Sequence, residues 1–475
     1  MIINNFFLSY TKHKMTDAKP RSKSIHDPIH GFITITPLMQ TVMDTPEFQR
    51  LRDLKQLGAA HYVYPSATHT RFEHSLGVSH LAGVLMESLA RRQPVLGITG
   101  RDIEITRIAA LVHDIGHGPF SHLYDNHVIN AGEAEHEARG CLMFRRLVSV
   151  HRIALGPEEV EKIVNMIDPP PELIEDWRYQ VVANKACQVD VDKIDYIQRD
   201  CSRLGLEFGN ACSRLLTAAR VCATRRQSPR LGSTVAHQLS WPKKLQYDIF
   251  SLFATRYRLH RQVYNHHAVR AHEFHIAEVL RDLKHRGIPF IDLTDSLVTC
   301  KLHRGCGGIK DKILRRDVPK MVGEKVLRRL RGGVVSRRHL EIEQEPNPRL
   351  ILSLILDKVR IGFCSGRTTN PLSCVHYYET KGTEEIPTAR KLDPSAISFC
   401  VPADYQETIV RLYSLDKTAA GMADAQDFWN KWLEQWVRAS EESKLDVNCL
   451  YASTEDGVQK IRPVVKECEC SQCDK

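Results

Sequence analysis

At 475 residues, 42% hydrophobic and 26% charged, the chain has room for one large core and a second lobe, because single cores stop growing near roughly 250 to 300 residues. That composition is too polar on average for a membrane protein, and the 14 cysteines are scattered rather than set at the dense spacing of a small secreted scaffold; a reducing, intracellular setting with no membrane is expected. A formal net charge of +9 points to anionic partners, for which nucleotides, nucleic acid and phosphate groups all qualify.

Residues 1–22 read as a flexible N-terminal segment. Met1 to Lys14 carries one brief apolar patch at Phe6 to Leu8 and no h-region with a small-residue cleavage site, and Met15 is a candidate alternative start. The short basic stretch Lys19-Pro-Arg-Ser-Lys23 is compatible with nuclear import, so nucleus and/or cytoplasm is the expected location. From Leu38 to His151 apolar residues recur at helical spacing, as in Leu81, Val84, Leu85 and Leu89, with Gly and Pro punctuation at Gly97 to Gly100, Gly116 to Pro119 and Pro169 to Pro171. Helical periodicity returns from Trp241 to Arg286, which predicts a helical lobe over 23–300. After Gly305-Cys-Gly-Gly308 comes a basic run from Lys310 to Arg338, then β-rich stretches at Leu350 to Cys364 and Ala396 to Val401 and a Trp-containing helix from Ala423 to Ala439. The predicted fold is mainly α, a helical lobe followed by a smaller α+β lobe over 301–460. The tail 461–475 holds Cys468, Cys470 and Cys473, close enough to share a metal; a structural zinc site normally needs four ligands, so a flexible tail is expected.

The most informative stretch is Leu111-Val-His113-Asp114-Ile-Gly-His117-Gly-Pro-Phe-Ser-His122. An apolar helix that carries Ile108 to Leu111 inward and stops at Gly116 to Pro119 puts His113 and Asp114 in its last turn, with His117 about one turn further on. Upstream lies Arg71-Phe-Glu-His74-Ser-Leu-Gly and downstream Asp190-Val-Asp192-Lys193-Ile-Asp195-Tyr196, both compatible with helices. Two imidazoles and two carboxylates make a mixed N/O ligand set suited to Fe, Mn, Zn or Mg with positions left open for water and substrate. One histidine on an apolar helix is usually a hydrogen-bonded core residue, but several polar groups buried together need a metal or charge pairing to offset desolvation.

The order His74, His113-Asp114, Asp192 resembles the H…HD…D signature of the HD phosphohydrolase superfamily. Longer strings, His26-Asp-Pro-Ile-His-Gly, Asp44-Thr-Pro-Glu-Phe-Gln-Arg-Leu-Arg52, Lys55-Gln-Leu-Gly, Arg71 to Val78, His113 to His122 and Asp190 to Tyr196, are similar to the vertebrate family of dNTP triphosphohydrolases that join a sterile-alpha-motif domain to an HD domain. The likeness runs from about Lys23 to about Ile276 and thins beyond. It implies that His74, His113, Asp114 and Asp192 hold a divalent metal, and that the α-phosphorus is attacked with loss of the whole triphosphate. His117 and His122 then match active-site histidines, one of them the general acid; Asp125 matches a carboxylate that orients and charges His122, and His136 a supporting histidine or part of a polar helix face. Arg71, Lys193, Arg256 and His260 match phosphate contacts. Arg256, His260 and Tyr264 stand at successive i,i+4 spacing, so one helix face would carry all three. Gln56, Leu57, Tyr196 and Asp200 match sugar contacts, with Tyr264 as the wall behind C2′ and His266 at the same end of the pocket.

The same resemblance implies activation by GTP or dGTP between subunits and a homo-oligomer, dimer to tetramer. Lys23, Ser24, Asp44, Gln49, Arg52 and Arg220 correspond to activator contacts, although His26 stands where Asn is usual and Phe32 where His is usual. Later activator cations would come from Arg315, Arg316, Arg328, Arg329, Arg331, Arg337 and Arg338, or these form a solvated basic surface. Only some two dozen residues precede the homologous region, fewer than the roughly 50 a domain needs, so the sterile-alpha-motif domain is expected to be missing. Lowered dNTP pools and an antiviral role follow from the resemblance. The alternatives are an HD phosphodiesterase acting on cyclic nucleotides or single-stranded nucleic acid, and a non-enzymatic scaffold that binds nucleotides or nucleic acid.

Overall fold

Two antiparallel strands, β1 (Lys23–Asp27) and β2 (Gly31–Ile35), open the described chain and lead into short helices α1 (Pro37–Met43) and α2 (Pro46–Gln49), each started by a threonine cap and a proline. This computed structural model describes residues 21–130, 132–206, 212–228, 232–301, 309–327, 348–363, 369–380, 384–398, 401–402, 404–443 and 459–460. The cysteines of the tail and the arginines from 328 to 338 lie outside them.

The helical lobe is built on α3 (Arg71–Arg92), α4 (Gly100–Val112), α5 (His122–His127), α6 (His136–His151), α7 (Pro157–Ile167) and α8 (Val191–Leu204). Thr99 and Asp102 close a capping box at the start of α4, and that helix buries Ile105, Ile108, Ala109, Ala110, Leu111 and Val112. Full burial of a side chain such as Ile108 or Leu111 contributes roughly 2 kcal/mol. The α4 helix ends at Val112, with His113 as its cap and Asp114 just beyond; the expectation that both sit in the last helical turn is corrected by about one residue. At α8, the Asp190 carboxylate accepts the Lys193 amide at 2.9 Å, and Gly205 at φ 66 ends the helix in the left-handed region.

The helical lobe is not uninterrupted. After α9 (Cys212–Ala218), the strands β3 (Arg220–Ser228) and β4 (Gly232–Pro242) form a hairpin that the helical reading of this half missed. Helix α10 (Gln246–Leu259) passes into a π-helical turn, His260–Tyr264, before α11 (His267–His285), α12 (Asp295–Lys301) and α13 (Ile309–Leu314). The C-terminal α+β part contains β5 (Lys320–Leu327), α14 (Pro348–Ser353), β6 (Leu354–Gly362), β7 (His376–Tyr378), β8 (Thr388–Lys391), β9 (Gln406–Ser414), α15 (Ala419–Ser443) and β10 (Gln459–Lys460). Strands run in the order β10-β6-β9-β5, while β7 and β8 close a small barrel with β3 and β4. Of the strand expected at Ala396 to Val401, residues 399 and 400 lie outside the described residues; no strand is among the described ones there, Pro394–Ala396 being a 3-10 turn, and β9 starts at Gln406.

Phe428, Trp429 and Trp432 of α15 are buried against that sheet, and Gly323 of β5 makes room for them: a Cβ there would come within 2.1 Å of Trp429. Buried charges tie the sheet to the helical lobe. Arg270 of α11 donates to Asp357 of β6 at 2.9 and 3.2 Å, and Arg411 of β9 donates to the Asn265 carbonyl at 2.7 Å. Among the described residues no helix is long and apolar enough to cross a membrane.

Candidate active site

The ends of α3, α4 and α8 meet at one point. His74, one turn into α3, donates from Nδ1 to Asp195 at 2.7 Å, which leaves Nε2 facing Asp192 Oδ1 at 3.0 Å and Asp114 Oδ2 at 3.6 Å. His113 Nδ1 lies 2.8 Å from the Ala110 carbonyl, which can only accept, so its proton sits on Nδ1 and the Nε2 lone pair points away. That Nε2 is buried without a hydrogen bond, although Asp114 Oδ1 stands at 3.3 Å and Asp192 Oδ1 at 3.4 Å. Imidazole lone pairs facing carboxylate oxygens repel unless a cation lies between them, so this donor set fits a divalent ion. Asp192 is one-third exposed and forms the open side, whereas His74 is buried.

The electrostatics agree with that fit. Burial alone would lower the His74 pKa, but Asp192, Asp195 and Asp114 outweigh it and push it up to about 10. His113 is raised for the same reason, against burial, by Asp114 and Asp192. Burial opposes ionisation of Asp114, yet Arg71, His113 and His117 hold its carboxyl well below the usual range.

Beside this group lies a second one, built from the loop after α4 and the starts of α5 and α6. His117 Nε2 is 3.3 Å from Asp114, its Nδ1 is 3.6 Å from Asp125, and its ring stacks on His136 at 3.9 Å. His122 meets both rings edge-on, at 5.1 and 5.6 Å. Gly116 permits this approach, because a Cβ there would fall 2.1 Å from the His136 carbonyl. Asp125 does not pair with His122 as expected; it lies 3.3 Å from His136 Nδ1 and accepts from Arg139 at 2.5 Å. His122 and Asp125 stay on one side of α5, each with an atom within 4.8 Å of the other, but the start of α6 supplies the direct partners. Burial, reinforced by Arg71 and His136, lowers His122 to about 4 and His117 well below its ordinary value. His136 is raised, Asp125 outweighing burial.

Cations border both groups. Arg71 donates to Asp114 at 2.5 Å and to Ser121 Oγ at 2.8 Å; buried Lys193 lies 3.8 Å from Asp190; Arg256 reaches the Gly362 carbonyl at 2.5 Å. His260 is lowered by burial and then by Arg256, His122 and Lys193, whose charges lie close to it. The stretch passes through a π-turn, yet Tyr264 keeps its ring edge-on to His260 at 4.8 Å and donates its hydroxyl to Asp200. Asp200 also binds His69 at 2.7 Å, and the Gln56 amide donates to the His69 carbonyl at 3.0 Å. The Gln56 Oε1 is buried without a partner, Leu57 precedes the turn that follows, and Tyr196 is raised by burial beside Lys193 and Arg256. His266 stands apart from these bonds, capping α11 through Ala268 and lying edge-on to Tyr64.

Several contributors were not singled out from the sequence. His30 and Arg199 share Asp195 with His74, at 2.6 and 2.9 Å, and Arg199 also binds Asp27 at 2.9 Å. Phe120 and Ser121 both adopt positive φ, 58° and 57°, strained for residues with a Cβ at about 1 to 3 kcal/mol each. Of the expected activator positions, Lys23 and Ser24 lie in β1. Asp44 caps α1, Gln49 ends α2 and accepts from Arg52 at 2.8 Å, and Arg220 opens β3.

The HD-domain profile matches residues 71–200, the segment that carries the four converging ligand candidates, and this fold and site define an HD-domain protein. Deoxynucleoside triphosphate triphosphohydrolase SAMHD1 of Bos taurus is 32% identical over 457 residues, covering 82% of this chain and 74% of its own. The Mus musculus protein of the same name is 30% identical over 476 residues, covering 86% of this chain and 71% of its own, and the Dictyostelium discoideum homolog 31% over 425, covering 84% and 79%. The chain belongs to this SAMHD1 family.

Proposed function

We propose that the chain is a metal-dependent hydrolase that cleaves deoxynucleoside triphosphates to deoxynucleoside and inorganic triphosphate. The observation that carries this reading is the lone-pair-to-carboxylate arrangement of His74, His113, Asp114 and Asp192 directly beside the buried cations Arg71, Lys193 and Arg256. Those four residues would hold a divalent ion, Fe, Mn, Zn or Mg, which would supply Lewis acidity there. Arg71, Lys193, Arg256 and His260 bind and orient the polyanionic triphosphate. His122 is uncharged in the free protein; the incoming polyanion raises its proton affinity and lets it protonate the 5′-oxygen leaving group. His117 and His136, stacked and shared with Asp125, hold that side of the pocket. Asp200, oriented by His69 and Tyr264, accepts the 3′-hydroxyl, and Tyr264 fills the space a 2′-hydroxyl would need.

Activation by GTP or dGTP through Lys23, Ser24, Asp44, Gln49, Arg52 and Arg220, with assembly from dimer to tetramer, extends the reading. So do lowered dNTP pools in nucleus or cytoplasm as the basis of an antiviral role. Product analysis with dNTP and rNTP substrates, with and without GTP, tests reaction, sugar choice and activation together. Inorganic triphosphate from dGTP but not from GTP is expected; monophosphate or diphosphate as the only product would replace this reaction with another.

A further inference from the structure

The loop between α4 and α5 holds both His117 and His122, yet its own sequence does not dictate its shape, since Phe120 and Ser121 occupy backbone conformations that favour glycine. The constraint comes from far along the chain. Asp295, at the start of α12 and 1% exposed, accepts the Phe120 amide on Oδ1 at 2.7 Å and the Lys55 amide on Oδ2 at 2.9 Å. Lys55 in turn offers its carbonyl to Ser121 Oγ at 2.7 Å, and Ser121 Oγ accepts from Arg71, which reaches Asp114. Three residues before the strained pair, Arg50 donates to the His117 carbonyl at 2.7 Å while also holding the Leu293 carbonyl at 3.0 and 3.2 Å and that of Phe290 at 3.3 Å. Gly58 closes the third side: a Cβ there would stand 2.5 Å from the Phe120 carbonyl.

We propose that Asp295 and Arg50 are positioning residues that clamp the 117–121 loop to the 290–295 segment and so set where His117 and His122 meet the substrate. This rests on the reading of those histidines as substrate-facing. Neither residue touches the four ligand candidates, so the clamp acts on proton-transfer geometry and not on metal retention. A displacement of about 1 Å at a reacting group costs roughly 100-fold in rate, which sets the scale of the effect.

The test uses the full chain carrying Asp295→Asn, Asp295→Ala or Arg50→Lys, with kcat, KM, bound metal and amide exchange at Phe120 measured on each. Expected are a fall in kcat of about 10- to 100-fold for Asp295→Ala, a smaller fall for Asp295→Asn, which keeps one acceptor, and KM within about threefold of the parent. Metal content should be unchanged and the Phe120 amide should exchange at least about tenfold faster in Asp295→Ala. Full kcat in a folded Asp295→Ala variant, or a kcat loss that tracks lost metal or lost folded fraction, overturns the clamp. If the variants fail to fold, exchange on the parent decides: a protected Phe120 amide supports the clamp, and one that exchanges as fast as an open loop removes it. A parent that releases no triphosphate from any dNTP counts against the proposed reaction alone, because amide exchange still tests the clamp.

Discussion

His74 and His122 are the same residue type in two neighbouring groups, and their pKa values are pushed in opposite directions. The first belongs to a group dominated by carboxylates, Asp114, Asp192 and Asp195, which push its pKa up to about 10; the second lies among imidazoles and beside Arg71, where burial takes it down to about 4. Burial works on both in the same direction. What separates them is the sign of the charge that the fold brings alongside. A group that favours a cation is thereby placed beside one kept neutral until an anion arrives, the arrangement that the proposed metal-assisted hydrolysis requires.

The largest expected effect removes the carboxylate-rich side of that comparison. His113→Ala or Asp114→Ala should lose bound metal and about 10³-fold or more of the activity, since a metal contributes several kcal/mol to the transition state. Metal analysis of the purified variants checks this, as does chelation of the parent followed by readdition of a divalent ion. A variant that keeps full turnover without metal rules out the ligand assignment. Next in size, His122→Asn should retain its metal while kcat falls by roughly 10²- to 10⁴-fold; loss of metal in this variant would merge the two groups into one.

A finer test leaves both groups in place and changes only the orientation of one ligand. Asp195→Asn should weaken metal affinity by about 10- to 100-fold, with kcat largely recovered at saturating metal, because Asp195 acts through His74 Nδ1. Unaltered affinity in a metal titration would mean that His30 and Arg199 orient His74 without it. The smallest effect is expected at the sugar end. Tyr264→Phe removes one hydroxyl bond to Asp200, worth about 1 kcal/mol, so selectivity for dNTP over rNTP should fall only a few-fold, as read from the ratio of kcat/KM values. A loss above about 100-fold would give the hydroxyl itself the discriminating role that the ring is proposed to play.

Much of the site was legible because it is local. His113, Asp114 and His117 fall within five positions at the end of an apolar helix, and His74 and Asp192 sit inside strings long enough to carry a family resemblance. Asp125 shows where local reasoning fails: three residues from His122 suggested a pair, but the packing of α6 gave it His136 and Arg139. The π-turn at His260–Tyr264 was equally invisible, since nothing in an i,i+4 pattern announces one extra residue in a turn.

The sequence by itself determined that the chain is mainly helical with a smaller α+β end, and the chemistry of the candidate ligand set, because periodicity and residue type are properties of neighbours in the chain. Tertiary structure decided what depends on residues far apart. Strands β7 and β8 complete a barrel begun by β3 and β4 more than a hundred positions earlier, and Asp295 holds the amide of Phe120 across 175 positions. It also decided the protonation of each histidine, because desolvation and neighbouring charge exist only once those distant side chains are packed together.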